Sequence, residues 1–295
     1  MPPLLYRQQI VDIVCSTTGK SYRVFVAWPE SLAANDAAQE KTVYLLDANA
    51  YFQTAVETVT RCRLYGIIVG VGYPEPGPFS PRRNEDLTPP SPSYTPPISH
   101  DGTPLPETLY GGASRFLTFI QTQVVSTVEG LLQKECPHHI STLPGGLVGH
   151  SYGGLFTLYA ACQKISAPPL FDTFCPISPS IWWNDRRIMK EVEECRAREK
   201  ETLYKLRLLL SYGEYEQSPP HVTDPHVDDC NQRHARRRAM KENVMEVYKR
   251  FQEKDGMFSQ AQVHEFGGET HGTVAGAGLV RALHFILDPK NIIFG

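Results

Sequence analysis

The sequence contains a serine with glycines two positions before and two positions after it, in the segment Gly149-His150-Ser151-Tyr152-Gly153. A short apolar run precedes this segment and apolar residues recur at helical spacing after it, so Ser151 is predicted to lie at a sharp strand-to-helix turn. At such a turn the serine backbone is strained, and a Cβ at either glycine would collide with the neighbouring strand or helix. The pattern favours a nucleophilic serine over an ordinary glycine-rich turn.

A serine hydroxyl needs an imidazole to take its proton and a carboxylate to orient that imidazole. His271 lies between Gly268 and Gly272, after the last predicted strand, whereas the competing histidines lie in polar loops or in helices. For the carboxylate, Glu214 and Glu216 both follow the preceding strand. We favour Glu214 because it is closer to the strand end, and Glu216 remains the alternative.

Hydrolysis of an ester also requires backbone N–H groups that stabilise the negative charge on the tetrahedral intermediate. One donor is expected to be Tyr152, at the start of the helix after the serine. The other should come from the loop after the strand that ends at Asp47, where we select Asn49. Both predictions concern backbone groups, so they do not depend on the side chains.

The segment 217–231 contains several potential metal ligands, but it lacks the tight His or Cys spacing of a zinc site. We therefore interpret it as a polar loop and predict neither a metal ion nor a cofactor. The potential ligands are His221, Asp224, His226, Asp228, Asp229 and Cys230.

Strands and helices alternate from residue 42 to the end of the chain, after two N-terminal strands at 10–15 and 22–28. Such alternation requires right-handed crossovers and a mostly parallel sheet. We predict an α/β-hydrolase fold with an N-terminal antiparallel strand pair and helices on both faces of the sheet. Nothing in the composition marks a second domain, so residues 1–295 are expected to form one.

Two irregular segments are predicted as insertions near the site, 74–106 and the polar loop 217–231. The first contains eleven of the 24 prolines, too many for a helix or a strand. Because it follows a parallel strand on the side where α/β sheets bind ligands, we expect it to form one wall of the site. The alternative is a passive, flexible loop.

The composition argues against several classes of partner. The net charge is −3 and the basic residues are scattered apart from Arg236-Arg237-Arg238, which makes nucleic acid or a membrane surface an unfavourable partner. The N-terminus lacks the features of a signal peptide, and no apolar run reaches the roughly 18 residues of a membrane span. Seven cysteines without C-x-x-C spacing fit a reducing compartment, so we expect a cytoplasmic protein. The partner that we expect is a small-molecule ester substrate.

Six segments spread along the chain carry a resemblance to a known family. They are Leu45-Leu46-Asp47-Ala48-Asn49-Ala50-Tyr51-Phe52, Arg82-Arg83-Asn84-Glu85-Asp86-Leu87-Thr88-Pro89, Gly111-Gly112-Ala113, Gly149-His150-Ser151-Tyr152-Gly153-Gly154, Ile177-Ser178-Pro179-Ser180-Ile181-Trp182-Trp183 and Glu269-Thr270-His271-Gly272. Together these segments resemble the esterase D-like esterases, and within them the siderophore esterases that open enterobactin, bacillibactin or fusarinine-type trilactones. The resemblance covers most of the chain.

This resemblance implies an intracellular fungal serine esterase that hydrolyses a fusarinine-type siderophore such as triacetylfusarinine C and thereby allows iron release. It also implies that Arg83 shapes the site beside the acyl pocket and that Trp182 and Trp183 line it, although core packing is the alternative for a tryptophan. A general carboxylesterase for small acyl esters is the alternative function. A non-catalytic binding protein on a hydrolase scaffold is the alternative class, because fold alone does not fix function.

Overall fold

The structure is a computed structural model, and it describes residues 5–30, 41–98, 103–104, 110–136, 144–163, 169–197, 205–252 and 257–288. Within them eight strands form a single sheet in the order β1-β2-β4-β3-β5-β6-β7-β8. The strands are β1 (Tyr6–Val14), β2 (Ser21–Pro29), β3 (Thr42–Leu46), β4 (Ile67–Gly72), β5 (Gly145–His150), β6 (Phe171–Ile177), β7 (Leu206–Gly213) and β8 (Phe258–Phe266).

The direction of the strands agrees with the predicted fold class. β2 is antiparallel to both β1 and β4, and every other neighbouring pair is parallel. The central strands β3, β4 and β5 are buried along their whole length, as expected for parallel strands covered on both faces. Their carboxyl ends therefore meet at one edge of the sheet, and the loops that follow them can converge there.

Helices cover the two faces of the sheet and create two hydrophobic clusters. Apolar residues of α1 and α10 pack against one face, and those of α3, α4, α5, α7 and α9 pack against the other. The helices are α1 (Ala48–Cys62), α2 (Arg83–Asp86), α3 (Ala113–Phe119), a π-helical turn (Ile120–Val124), α4 (Val125–Glu135), α5 (Tyr152–Ala161), α6 (Trp183–Arg186), α7 (Ile188–Ala197), a 3₁₀ turn (Glu214–Glu216), α8 (Pro225–Arg238), α9 (Met240–Phe251) and α10 (Val274–Leu287).

The second irregular segment differs from the sequence-based expectation. The loop predicted for 217–231 gives way to α8 at Pro225, because Asp224 caps the helix with its side chain and proline fits the first helical position. The helix predicted over 232–254 is interrupted at Ala239, whose φ is 42°, so that α8 and α9 are separate. Of the predicted loop, only about the first half, residues 217–224, precedes the helix, and residues 225–231 belong to the polar helix α8.

The described part of the proline-rich segment is anchored to the body of the protein. Asn184 accepts a hydrogen bond from the Thr95 N–H at 2.7 Å and donates one to the Ser93 carbonyl at 3.1 Å. Tyr94 packs against Trp183 with a distance of 5.9 Å between ring centroids. Residues 99–102 and 105–106 of this segment lie outside the described residues.

In the described part of the chain, no helix is both long enough and apolar enough to cross a membrane. All seven cysteines are described, and none of them forms a disulfide.

Candidate active site

Ser151 lies at a strained turn between β5 and α5. Its φ and ψ are 61° and −116°, a region that residues with a side chain rarely occupy. A Cβ on Gly149 would approach the Gly153 carbonyl oxygen to 2.3 Å, so glycine is required there. A Cβ on Gly153 would meet its nearest atom at an ordinary 3.4 Å, whereas one on Gly154 would lie 2.7 Å from the Ile177 carbonyl oxygen. The expected collision at the second glycine of the motif is thus wrong, and the crowded position is the next residue.

The Ser151 hydroxyl faces the imidazole of His271. The distance from Ser151 Oγ to His271 Nε2 is 3.0 Å, and the distance from His271 Nδ1 to Glu216 Oε2 is 2.6 Å. An ionised carboxylate can only accept hydrogen bonds, so Nδ1 carries the imidazole proton. Nε2 is then the acceptor for the Ser151 O–H, as a general base requires.

Glu216 is held by three hydrogen-bond donors and has an exposed side-chain fraction of 3%. Its Oε1 accepts the Ser178 hydroxyl at 2.5 Å and the Gly213 N–H at 2.8 Å. Burial acts to raise the pKa of the Glu216 carboxyl, but the hydrogen bond and charge of His271, followed by the hydrogen bonds of Ser178 and Gly213, outweigh it and lower this pKa. The carboxylate is therefore ionised when it faces the imidazole.

The favoured carboxylate of the sequence analysis, Glu214, does not contact His271. Glu214 and Glu216 are two residues apart in a 3₁₀ turn, which has three residues per turn, so their side chains leave the turn in different directions. Glu214 is exposed and accepts the Gly268 N–H at 2.9 Å. The carboxylate that contacts His271 is therefore Glu216, the alternative, and not the favoured Glu214.

The loops after β7 and β8 approach each other closely, which brings the Glu216 carboxylate and the His271 imidazole together. A Cβ on Gly213 would lie 2.3 Å from the Glu269 carbonyl oxygen, and that same oxygen accepts the Tyr215 N–H at 3.0 Å. Only a residue without a side chain allows this approach. Gly213 thereby allows close packing between the segments that carry Glu216 and His271.

The two predicted oxyanion donors lie at the first turns of two helices. Tyr152 is the first residue of α5, and Asn49 is the second residue of α1. The first N–H groups of a helix have no partner within the helix. The Asn49 side chain is already used, because its amide donates to the Tyr73 carbonyl at 2.9 Å and its oxygen accepts the Tyr73 N–H at 2.8 Å.

Arg83 forms a buried ion pair beneath the site. Its guanidinium donates two hydrogen bonds to the Asp47 carboxylate, at 2.8 and 2.7 Å. The guanidinium carbon lies 5.5 Å from the Tyr152 ring centroid and 5.3 Å from that of Phe79. Arg83 is thus neutralised by a carboxylate of the protein, and it lies against the ring of Tyr152, the residue that follows the serine.

The two tryptophans have different environments. Trp183 has an exposed fraction of 1% and packs on Tyr94 and Tyr110. It is therefore a core residue and does not line an open site. Trp182 is half-buried, with its ring 6.3 Å from that of Tyr152. Of these two tryptophans, Trp182 is the one that stays partly accessible, beside Tyr152.

A cavity of about 300 Å³ opens beside His271. Its walls are formed by the turn after β7, the first part of the polar loop 217–231, and α8. The lining residues are Tyr215, Glu216, Pro219, Pro220, Val222, Asn231, His234, Ala235, Arg238, Met240, Thr270 and His271. The volume is at the lower end of ligand sites, so the cavity accommodates a part of a large substrate.

His150 is a buried histidine that the sequence analysis did not assign to the site. Its ring centroid lies 4.6 Å from that of His271, and its Nδ1 is 3.0 Å from the Tyr51 hydroxyl. Burial, followed by the proximity of His271, lowers the pKa of His150 to about 3. His150 therefore stays neutral and adds no positive charge beside His271.

The candidate ligands in the polar segment are not gathered around a metal site. Among the described residues, no group of three or more His, Cys, Asp or Glu side chains could hold a metal ion. His221 instead pairs with Asp228, with 2.8 Å between His221 Nδ1 and Asp228 Oδ2.

Comparison with known proteins identifies the family. The family model described as "Putative esterase" matches residues 15–264. The chain belongs to this esterase family. The esterase is 38% identical over 280 residues to the siderophore enterobactin esterase of Emericella nidulans, covering 90% of this chain and 89% of the relative. It is 30% identical over 283 residues to the siderophore triacetylfusarinine C esterase of Aspergillus fumigatus, covering 92% and 90%.

A solved structure agrees with this relationship. The siderophore hydrolase EstA from Aspergillus nidulans superposes with a TM-score of 0.83 at 36% identity, covering 94% of this chain and 93% of that one. The esterase is thus a carboxylic ester hydrolase of α/β-hydrolase fold, which confirms the fold and enzyme class expected from the sequence. Its hydrogen-bonded Ser151, His271 and Glu216 occur in the chain order Ser, acid, His that is typical of this fold.

Proposed function

We propose that this esterase hydrolyses the ester bonds of a siderophore trilactone with Ser151, His271 and Glu216 as its catalytic triad. The observation that carries the proposal is the continuous hydrogen-bond chain from Ser151 Oγ through both ring nitrogens of His271 to Glu216, at 3.0 and 2.6 Å. The relatives that are named siderophore esterases support the substrate class.

The triad divides hydrolysis into two steps. Ser151 Oγ attacks the ester carbonyl while His271 Nε2 takes the hydroxyl proton, and the N–H groups of Tyr152 and Asn49 donate to the resulting oxyanion. His271 then protonates the leaving alcohol, and the C–O bond of the ester breaks to give an acyl-enzyme. In the second step His271 takes a proton from water, which attacks the acyl group and releases the carboxylic acid and free Ser151.

Glu216 acts without exchanging a proton. Its charge stabilises the imidazolium that forms when His271 accepts the serine proton, and its hydrogen bond fixes the tautomer with the proton on Nδ1. Ser178 and Gly213 hold the carboxylate in place through Oε1. Arg83, through its contact with the Tyr152 ring, is proposed to shape the site beside the acyl group.

Two classes of trilactone are candidates for the substrate. A fusarinine-type hydroxamate such as triacetylfusarinine C is the substrate expected from the sequence, with iron released inside the cell after hydrolysis, and the triacetylfusarinine C esterase supports it. The higher identity to an enterobactin esterase favours a catecholate trilactone as the second candidate. Both are wide molecules, which suits a site where Trp182 and the cavity walls offer contacts beyond the acyl group.

The test compares kcat/KM for triacetylfusarinine C, enterobactin and nitrophenyl acetate, with iron-loaded and iron-free forms of each siderophore. We expect at least one siderophore to be preferred over the small ester, and Trp182→Ala to reduce that preference. Ser151→Ala should lower kcat by at least ~10³-fold and abolish labelling by a fluorophosphonate, which reacts only with an activated serine. A strong preference for nitrophenyl acetate that Trp182→Ala leaves unchanged would identify a general carboxylesterase. Turnover that persists in Ser151→Ala would contradict the triad.

A further inference from the structure

Arg238 is a cation in the wall of the cavity beside His271. It is the last residue of α8, and its guanidinium carbon lies 4.9 Å from the centroid of the Trp182 ring. Within the described part of the chain, no carboxylate lies within the 4 Å of an ion pair with this guanidinium; Glu216 acts on it electrostatically from a greater distance. Glu216 itself is engaged with His271, so Arg238 has no counter-ion of its own among the residues that the structure describes.

Arg83, the other arginine that lies over an aromatic ring at the site, differs from Arg238 because it has a carboxylate partner. Arg83 also lies over an aromatic ring at the site, but Asp47 neutralises it with two hydrogen bonds. Arg238 is half-buried, and burial lowers the pKa of its guanidinium despite the opposing influence of Tyr152 and Glu216. A desolvated cation without a partner is unfavourable unless a bound ligand supplies the negative charge.

Resting on the proposed function, we infer that Arg238 recognises the negative charge of a ferric catecholate arm and makes this esterase prefer an anionic siderophore over a neutral one. Three doubly charged catecholates overcompensate the charge of Fe³⁺ and leave an anionic complex. Three singly charged hydroxamates neutralise Fe³⁺ and leave an uncharged complex. An unpaired cation in the cavity therefore discriminates between the two substrate classes.

The shape of the cavity fits one arm of such a complex. Its volume of about 300 Å³ holds a single aromatic arm, while the remaining arms and the ion lie outside. Arg238 and Trp182 together present a planar cation and a planar ring, and a guanidinium both stacks on aromatic faces and donates to anionic oxygens. Tyr215 and Met240 supply apolar contacts in the same wall.

The experiment measures kcat and KM for ferric enterobactin, iron-free enterobactin and ferric triacetylfusarinine C with the wild type and Arg238→Gln. We expect Arg238→Gln to lower kcat/KM for ferric enterobactin by about ten- to a hundredfold, mainly through KM, because a hydrogen bond to a charged group is lost from substrate binding. The effect on the two uncharged substrates should stay within about threefold. Iron-free enterobactin has the same rings without the charge of the complex, so it separates charge from shape.

Arg237→Gln is the matched control, since Arg237 is exposed on the same helix and its replacement changes the net charge equally. It should leave all three substrates unchanged, and Arg238→Lys should restore part of the loss. If Arg238→Gln does not fold, the salt dependence of the wild type is decisive: added salt should raise KM for ferric enterobactin alone. Equal losses on all substrates, or none, would overturn the role of Arg238 while leaving the esterase proposal intact. Failure of the wild type on every siderophore would instead refute the proposed function.

Discussion

Glu216 and His271 are separated by 2.6 Å between Oε2 and Nδ1, although they are 55 positions apart in the sequence. Glu214, only two residues earlier, is exposed and hydrogen-bonded to the Gly268 N–H. The direction in which each side chain leaves the turn after β7 therefore decides which of the two carboxylates contacts His271.

The first prediction compares these two carboxylates. Glu216→Gln should lower kcat by at least ~10³-fold, because an amide can present its N–H to Nδ1 and stabilise the wrong tautomer. Glu214→Gln should change kcat by less than about tenfold, since it loses only a loop hydrogen bond. Steady-state kinetics on any accepted ester gives both values, and the reverse ranking would return the orienting role to Glu214.

The second prediction concerns the ion pair between Asp47 and Arg83. Arg83→Gln should lower the free energy of unfolding by about 3–5 kcal/mol, because it leaves a buried, unpaired carboxylate. The double variant Asp47→Asn/Arg83→Gln should be more stable than Arg83→Gln alone, and asparagine suits the positive φ of 52° at position 47. Urea unfolding measures the double-mutant cycle, and strictly additive effects would show that the pair is not coupled.

The third prediction distinguishes two adjacent glycines of α5. Gly154→Ala should destabilise the protein by about 1–3 kcal/mol, because its Cβ would press on the backbone at Ile177 and Pro179. Gly153→Ala should stay within about 1 kcal/mol of the wild type, since its contacts are ordinary and alanine favours the helix. Thermal or urea unfolding of both variants tests this, and a larger loss for Gly153→Ala would contradict the difference in space at the two glycines.

The fourth prediction concerns pH and the buried His150. Its pKa of about 3 lies below the value of about 6.5 expected in the unfolded chain, so the unfolded state binds more protons between these values. Stability conferred by the neutral ring is therefore complete above pH ~6.5 and is lost as the pH falls towards 3.

His150→Gln removes this titration. Between pH 7 and pH 5, the wild type should lose about 2 kcal/mol of unfolding free energy relative to the variant. Glu216 remains in both proteins, so its own acid dependence cancels in the comparison. Parallel stability curves for the two proteins would show that the buried ring does not resist protonation.

Sequence patterns predicted the fold class, and they placed Ser151 and His271 in loops at the same edge of the sheet. Strand-helix alternation fixes a parallel sheet, and the carboxyl ends of its strands meet at one edge, so a serine and a histidine after two such strands are expected to be neighbours. Ser151 and His271 are indeed 3.0 Å apart. Local patterns sufficed because the backbone geometry of the elements dictates where these loops lie.

Three features depend on long-range packing: which carboxylate, which tryptophan and which arginine face the site. Glu214 and Glu216 have the same chemistry and nearly the same position, and the 3₁₀ turn alone separates them. Trp182 and Trp183 differ by one residue, yet one is half-buried beside Tyr152 and the other is buried. Arg238 is one of three consecutive arginines in the sequence, and its role depends on contacts with Trp182, more than fifty positions away. Side-chain direction and long-range packing decide these assignments, and no local sequence pattern encodes either of them.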